Sequence, residues 1–136
     1  MAVFNKFNSF VEAVAEKVHD LGADQLTLAL TNTAPTAANT QLSDITQIAY
    51  TNLSTRNITR TSSAQSAGLY KLVVADTTLT STGGSTGPFR YVVVYNSTAA
   101  GGPLIGWYDY GTALTLNSGE SLSVDFDQVN GLLTLQ

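Results

Sequence analysis

The densest apolar pattern in the chain lies between Pro88 and Gly111, PFRYVVVYNSTAAGGPLIGWYDYG. Phe89 to Tyr95 is a run of β-branched and aromatic residues, and Leu104 to Tyr110 is a second one holding the single Trp. Such runs favour strands, and the Gly/Pro loop between them makes the pair a hairpin. Val92, Val93 and Val94 in succession abandon the alternation of a half-exposed strand. Both faces of this strand should therefore be covered, as in the central strand of a layered β domain around which the rest of the chain packs.

Near the N-terminus, Phe4, Phe7, Phe10, Val11, Val14, Ala15, Val18 and Leu21 recur at spacings of three and four, with Lys6, Glu12, Glu16, Lys17 and Asp20 on the other side. This periodicity predicts an amphipathic helix from about Asn5 to Leu21, with Gly22 as its stop and a Ser9–Glu12 capping box if it starts late. The stripe packs either on its own β domain or on a neighbouring subunit, and the first is the expectation. His19, at the edge of the polar side, reads as a solvated or capping side chain.

Downstream, Gln25 to Thr31 alternates with Leu26, Leu28 and Leu30 on one face and predicts a strand. Asn32 to Asp44 is small, polar and Pro-containing, an extended surface loop and a candidate contact arm. Ile45 to Tyr50 is a short helix or strand, and Thr55 to Ser62 a polar strand around Ile58. Leu69 to Thr80 reads as one strand, followed by a flexible turn at Ser81 to Gly87. Ala113–Leu116 and Ser121–Phe126 flank Asn117 to Glu120 and predict a second hairpin, and Leu133 with Leu135 makes a last short strand. The expected fold is mainly β: an antiparallel β-sandwich, jelly-roll-like, of about eight strands with one N-terminal amphipathic α-helix. Residues 1–22 form the helical segment and 23–136 the sandwich of a single domain.

Composition refines this picture. A chain of 136 residues buries roughly two-thirds of the surface exposed when unfolded, enough for a core without staples. There are no cysteines, which excludes a disulfide framework, a thiolate metal site and a Cys nucleophile. Only 12% of residues are charged, so the outer faces must be hydroxyl- and amide-bearing. The net charge of −4 and the scattered basic residues, with Arg56 and Arg60 the nearest approach to a patch, argue against a phosphate-neutralising surface and hence against nucleic-acid binding. No window approaches a membrane-spanning length, and MAVFNKFNSF lacks the basic start and apolar run of a signal peptide, so a cytoplasmic origin is expected.

Candidate chemistry is sparse. Asp125 and Asp127, with Glu120 upstream, share a strand face by their spacing, but the dense Asp/Asn/Gly loop of a Ca²⁺ site is missing, and aspartates are ordinary where a strand meets a turn. Trp107, Tyr108 and Tyr110 around Asp109 resemble a sugar-binding platform, yet alternation sends Trp107 and Asp109 to one face and the tyrosines to the other. Ser and Thr are plentiful but lack a base partner, and the Gly83-Gly84 and Gly101-Gly102 pairs introduce no helix, so they read as turns. No catalytic residue, metal ligand or cofactor site is expected, and the chain reads as a non-enzyme.

The stretches FNKFNSFVEAVAEKVHDLGADQLTLALTNTAP, GPFRYVVVYN, PLIGWYDYG and LNSGESLSVDFDQVNGLLTL resemble small virion structural proteins of tailed bacteriophages, the head decoration or cement proteins. The resemblance spans most of the chain, Asn39 to Ala67 being the least anchored. It implies a protein made in the host cytoplasm and carried on the virion, which binds the major capsid protein on the outside of the head and braces the shell. It also implies a homo-oligomer, a trimer before a dimer. The contacts would come from the N-terminal segment, the Asn32 to Asp44 loop and the C-terminal strand, with Phe4, Phe7, Pro35, Leu42, Leu133 and Leu135 as candidate interface residues. A neck, tail or baseplate protein is the alternative within this class, and a glycan-binding β-sandwich module the alternative outside it.

Overall fold

The computed structural model describes residues 2–136. Among these residues the chain is mainly β, with antiparallel sheets, a sandwich-like arrangement and one N-terminal helix. Strands β1 (Phe4–Lys6), β2 (Leu26–Thr31), β6 (Thr86–Asn96) and β7 (Leu104–Leu116) form a four-stranded sheet in the order β1-β7-β6-β2. Strands β3 (Arg60–Ser66), β4 (Leu69–Val74) and β9 (Leu133–Leu135) form a second sheet in the order β3-β4-β9, while β5 (Thr77–Thr80) pairs with β8 (Ser121–Val124).

The expected central hairpin is β6 and β7, joined in the register Val92↔Tyr108, Val93↔Trp107 and Val94↔Gly106. The three valines explain why alternation is lost there. Val92 and Val94 enter the main core with Leu28, Leu30, Leu72, Val74, Leu79, Phe89, Tyr108, Val124 and Phe126. Val93 faces the opposite side, in a smaller cluster with Phe7, Ala29, Ile45, Tyr95 and Leu104. Apolar side chains are needed on both faces because both are removed from water.

The N-terminal segment departs from the expected long helix. Only Ser9–Ala15 is helical (α1), Asn8 rather than Ser9 stands at the N-cap without a side-chain cap bond, and Phe4–Lys6 is an edge strand on β7. The helix stops well short of Gly22 because Lys17 turns into the left-handed region at φ 66°. Phe4, Phe7 and Phe10 therefore do not share a stripe: Phe4 packs on Tyr108, Phe7 on Trp107 across the sheet, and Phe10 returns to the main core. Phe10 docks α1 on its own domain, whereas Val11 and Val18 of the presumed apolar stripe are exposed.

Three strand boundaries also differ. Leu69 to Thr80 is broken at Ala75-Asp76, where Asp76 Oδ1 accepts the Phe126 N–H (2.9 Å) and the chain passes from β4 to β5 in another sheet. Ala113–Leu116 continues β7 against Thr86 and Phe89 of β6, so the expected hairpin with Ser121–Phe126 is absent and β8 pairs with β5 instead. The polar strand begins at Arg60, not Thr55. The turn before β6 is tied rather than loose: Ser81 is buried and its hydroxyl bonds Gly84 O at 2.7 Å and the Thr86 hydroxyl at 2.9 Å.

Residues 32–59 contain one 3-10 turn (Leu42–Asp44) and otherwise irregular backbone. Asn32 to Asp44 is the largely exposed loop expected, but residues 45–58 cover the outer edge of β2 and are neither the short helix nor the strand expected at Ile45 to Tyr50. Ile48 N–H donates to Leu30 O (3.0 Å), Leu28 N–H to Arg56 O (2.9 Å) and Ile58 N–H to Leu26 O (2.9 Å). The Tyr50 hydroxyl accepts the Leu30 N–H at 2.9 Å. An irregular segment thus satisfies the backbone groups that an edge strand would leave open to another chain.

Candidate functional site

Three of the six candidate interface residues meet at one place. Phe4, Leu133 and Leu135 line an apolar cleft of about 250 Å³ together with Lys6, Phe10, Val11, Val14, Leu132 and Thr134. Its walls are β1, α1 and β9. Each of these strands has a single pairing partner among the described residues, β1 on β7 and β9 on β4, so each stands at the end of its sheet. Val11 is 55% exposed and Leu135 36%, with Val3 at 75% nearby in sequence.

The geometry follows from small sequence features. Gly106 faces Lys6 in the β1–β7 register, and a Cβ at that position would overlap the Phe4 ring and the Asn5 carbonyl. Glycine is needed there for the edge strand to approach β7 and for Phe4 to sit over Tyr108 with ring centroids 5.2 Å apart. On the other wall, β9 is held by Tyr70↔Leu135 and Leu72↔Leu133 pairing, and Leu132 N–H donates to Leu72 O at 2.8 Å.

The other three candidates lie elsewhere. Phe7 is fully buried under Trp107 and is a core residue, which removes it from any exposed interface. Leu42 packs against the same small cluster. Pro35 is half-buried in the 32–44 loop, apart from the cleft. Val11 and Val14, members of the expected helical stripe, are walls of this cleft, because an apolar stripe in a sequence does not reveal where the core ends.

Alternation separates Trp107 from the two tyrosines as expected, but Asp109 corrects it by lining the tyrosine groove instead of sharing the Trp107 side. Trp107 joins the small cluster with Phe7, while Tyr108 and Tyr110 line an open groove with Asp109, Ser123 and Asp125 on the opposite side. Burial pushes both phenols above their ordinary range, and the negative charge of Asp125 acts in the same direction. Asp109 makes a two-point ion pair with Arg90 (2.7 and 3.0 Å), which holds its carboxyl below the usual range. Asp127 turns onto its own loop, accepting the N–H groups of Val129 (2.9 Å) and Asn130 (2.7 Å), so it does not join Asp125 in a common site. Among the described residues no group of three or more His, Asp or Glu side chains is placed to hold a metal ion.

Arg56 stacks on Tyr50 with its guanidinium 3.7 Å from the ring centroid and bonds Leu28 O, while Arg60 donates to Asp24 O at 3.3 Å. Both cations are engaged within the fold. No helix among the described residues is long and apolar enough to cross a membrane. His19 corrects the expectation of a solvated side chain: it is 7% exposed, its ring centroid lies 5.3 Å from that of Phe10 at a tilted angle, and it is bonded to Asn96. With α1 ending at Ala15, it lies on no helix, so helical position was not a guide to its exposure.

No protein-family model, no curated protein and no solved structure matches this chain.

Proposed function

We propose that this chain is a bracing protein of a tailed-phage virion, a decoration protein that binds the outer surface of the head and associates with copies of itself. The observation that carries this reading is the apolar cleft between two sheet-edge strands, where Phe4, Val11, Leu133 and Leu135 come together. Strand edges offer main-chain hydrogen bonds, and an adjacent apolar strip contributes burial, so the two together suit adhesion to another β-rich surface. The surface is also poor in charge, with 12% charged residues in the whole chain. A repeated shell lattice engaged by an oligomer gains avidity from modest individual contacts.

The experiment is a copy count. Phage particles carrying this gene are purified and the chain is quantified against the major capsid protein. Tens to hundreds of copies per particle support decoration. A handful places the chain in the neck, tail or baseplate, and absence from the particle rejects a virion role. A glycan array tests the module reading that the groove beside Tyr108, Tyr110 and Asp125 invites. Trp107 lies on the other face and cannot complete that platform.

A further inference from the structure

Asn96 is fully buried at the end of β6. Its Oδ1 accepts the backbone N–H groups of Thr98 (3.0 Å) and Ala99 (3.1 Å). Backbone N–H groups only donate, so the side-chain amide has one orientation, with its NH₂ turned the other way. That NH₂ donates to Asp24 Oδ2 at 2.7 Å and meets His19 Nδ1 at 3.1 Å. Nδ1 must then supply a lone pair, which makes His19 neutral with its hydrogen on Nε2. Nε2 is itself buried without a hydrogen-bond partner among the described residues.

We propose that His19, Asn96 and Asp24 form an acid-sensitive latch, which ties the segment following α1 to the β6–β7 connection while His19 is neutral and loosens it when the ring takes a second proton. The added proton would sit on Nδ1, directly facing the Asn96 NH₂, so two donors would meet head to head. The Nε2–H has no acceptor among the described residues in either state, so the positive charge gains no compensating hydrogen bond there. Asp24 opposes this by attraction, although its Oδ2 is already shared with the Asp20 N–H at 2.9 Å. Lys17, Asp20 and Tyr70 line the same recess, and Arg60 faces Asp24 from β3.

Burial is the larger influence and holds the His19 pKa below its ordinary 6.5, with the Asp24 charge pulling the other way. The folded chain then binds fewer protons at this ring than the unfolded chain does. Stability from this source is complete above pH 6.5 and is lost as pH falls from there through the folded-state value. Val14 and Leu135 border both this recess and the apolar cleft, so opening the latch also disturbs the cleft. The inference concerns the fold and stands whether or not the chain decorates a capsid.

The test uses the full chain. Long-range ¹⁵N NMR of the wild type from pH 8 to 4.5 should show the Nε2–H tautomer at high pH and a His19 midpoint below 6.5. Amide signals of residues 17–24 and 96–99 should shift with that midpoint. In urea unfolding, the unfolding constant should rise by up to about tenfold per pH unit between pH 6.5 and 5 in the wild type. It should stay flat in His19→Phe, which keeps an aromatic ring but cannot titrate. An Nδ1–H tautomer, a midpoint at or above 6.5, or equal pH dependence in both proteins overturns the latch. If the variant does not fold, the wild-type tautomer and midpoint decide alone.

Discussion

The ring of Phe7 lies 4.6 Å from that of Trp107 at an interplanar angle of 45°, and Phe7 is fully buried. This contact seals the outer face of the four-stranded sheet, where Val93, Tyr95 and Leu104 would otherwise meet water. Truncation of Phe7 removes a large buried side chain and leaves a cavity beside the single tryptophan. Phe7→Ala should therefore destabilise the fold by about 3–5 kcal/mol and shift Trp107 emission to longer wavelength in the native state. Chemical denaturation followed by fluorescence reads both effects. A loss below about 1 kcal/mol would mean that Phe7 is not a core residue.

Gly106 makes the opposite demand. Its neighbours Phe4 and the Asn5 carbonyl occupy the space that a methyl group would need. Gly106→Ala should cost about 1–3 kcal/mol by overpacking. The damage should concentrate on β1, seen as faster hydrogen exchange of the β1 amides that pair with β7 while the β2–β6 amides stay protected.

At the β2 edge a side-chain hydroxyl takes the place of a strand carbonyl for the Leu30 N–H. The Tyr50 oxygen accepts the Leu30 N–H at 2.9 Å and donates to Gln47 Oε1 at 2.8 Å. Tyr50→Phe keeps the ring and the Arg56 stack but orphans a backbone N–H. The expected loss is about 1–3 kcal/mol by urea unfolding, with new exchange at the Leu30 amide.

These residues also show what could be read in advance. Val92 to Val94 announced a strand covered on both faces, and the reason is local: consecutive strand side chains point in opposite directions, so three apolar residues in a row require two apolar layers. The N-terminus misled because spacings of three suit a helix and equally suit a chain that crosses a sheet edge. Phe4 and Phe7 have the same spacing as Phe7 and Phe10, yet adjacent members pack on different sheet faces. Gly106 carried the missing signal, but its meaning depends on a partner a hundred residues away. The cleft was half legible for the same reason: Phe4, Leu133 and Leu135 were identifiable as apolar termini, whereas their meeting with Val11 and Val14 is a product of tertiary pairing.

Alkaline titration offers a separate check on burial. Tyr50, Tyr108 and Tyr110 are all pushed above the ordinary phenol value of 10.0, chiefly by desolvation. A phenol whose folded pKa is raised stabilises the fold below pH 10 and withdraws that contribution as pH rises above it. Absorbance at the phenolate band should show three tyrosines ionising late, together with loss of structure. Six phenols titrating together near pH 10 with the fold intact would contradict their placement.

The central claim is that the cleft between β1 and β9 is an adhesive surface. Val11 and Leu135 are exposed there, so a Val11→Lys, Leu135→Lys double variant should keep its stability to within about 1 kcal/mol while placing two charges in the contact. The most direct measurement is co-sedimentation of the purified wild type and this variant with phage heads stripped of the chain. The account predicts saturable pelleting of the wild type and at least tenfold weaker pelleting of the folded variant. Wild type left in the supernatant, or a variant that pellets equally well, would contradict it.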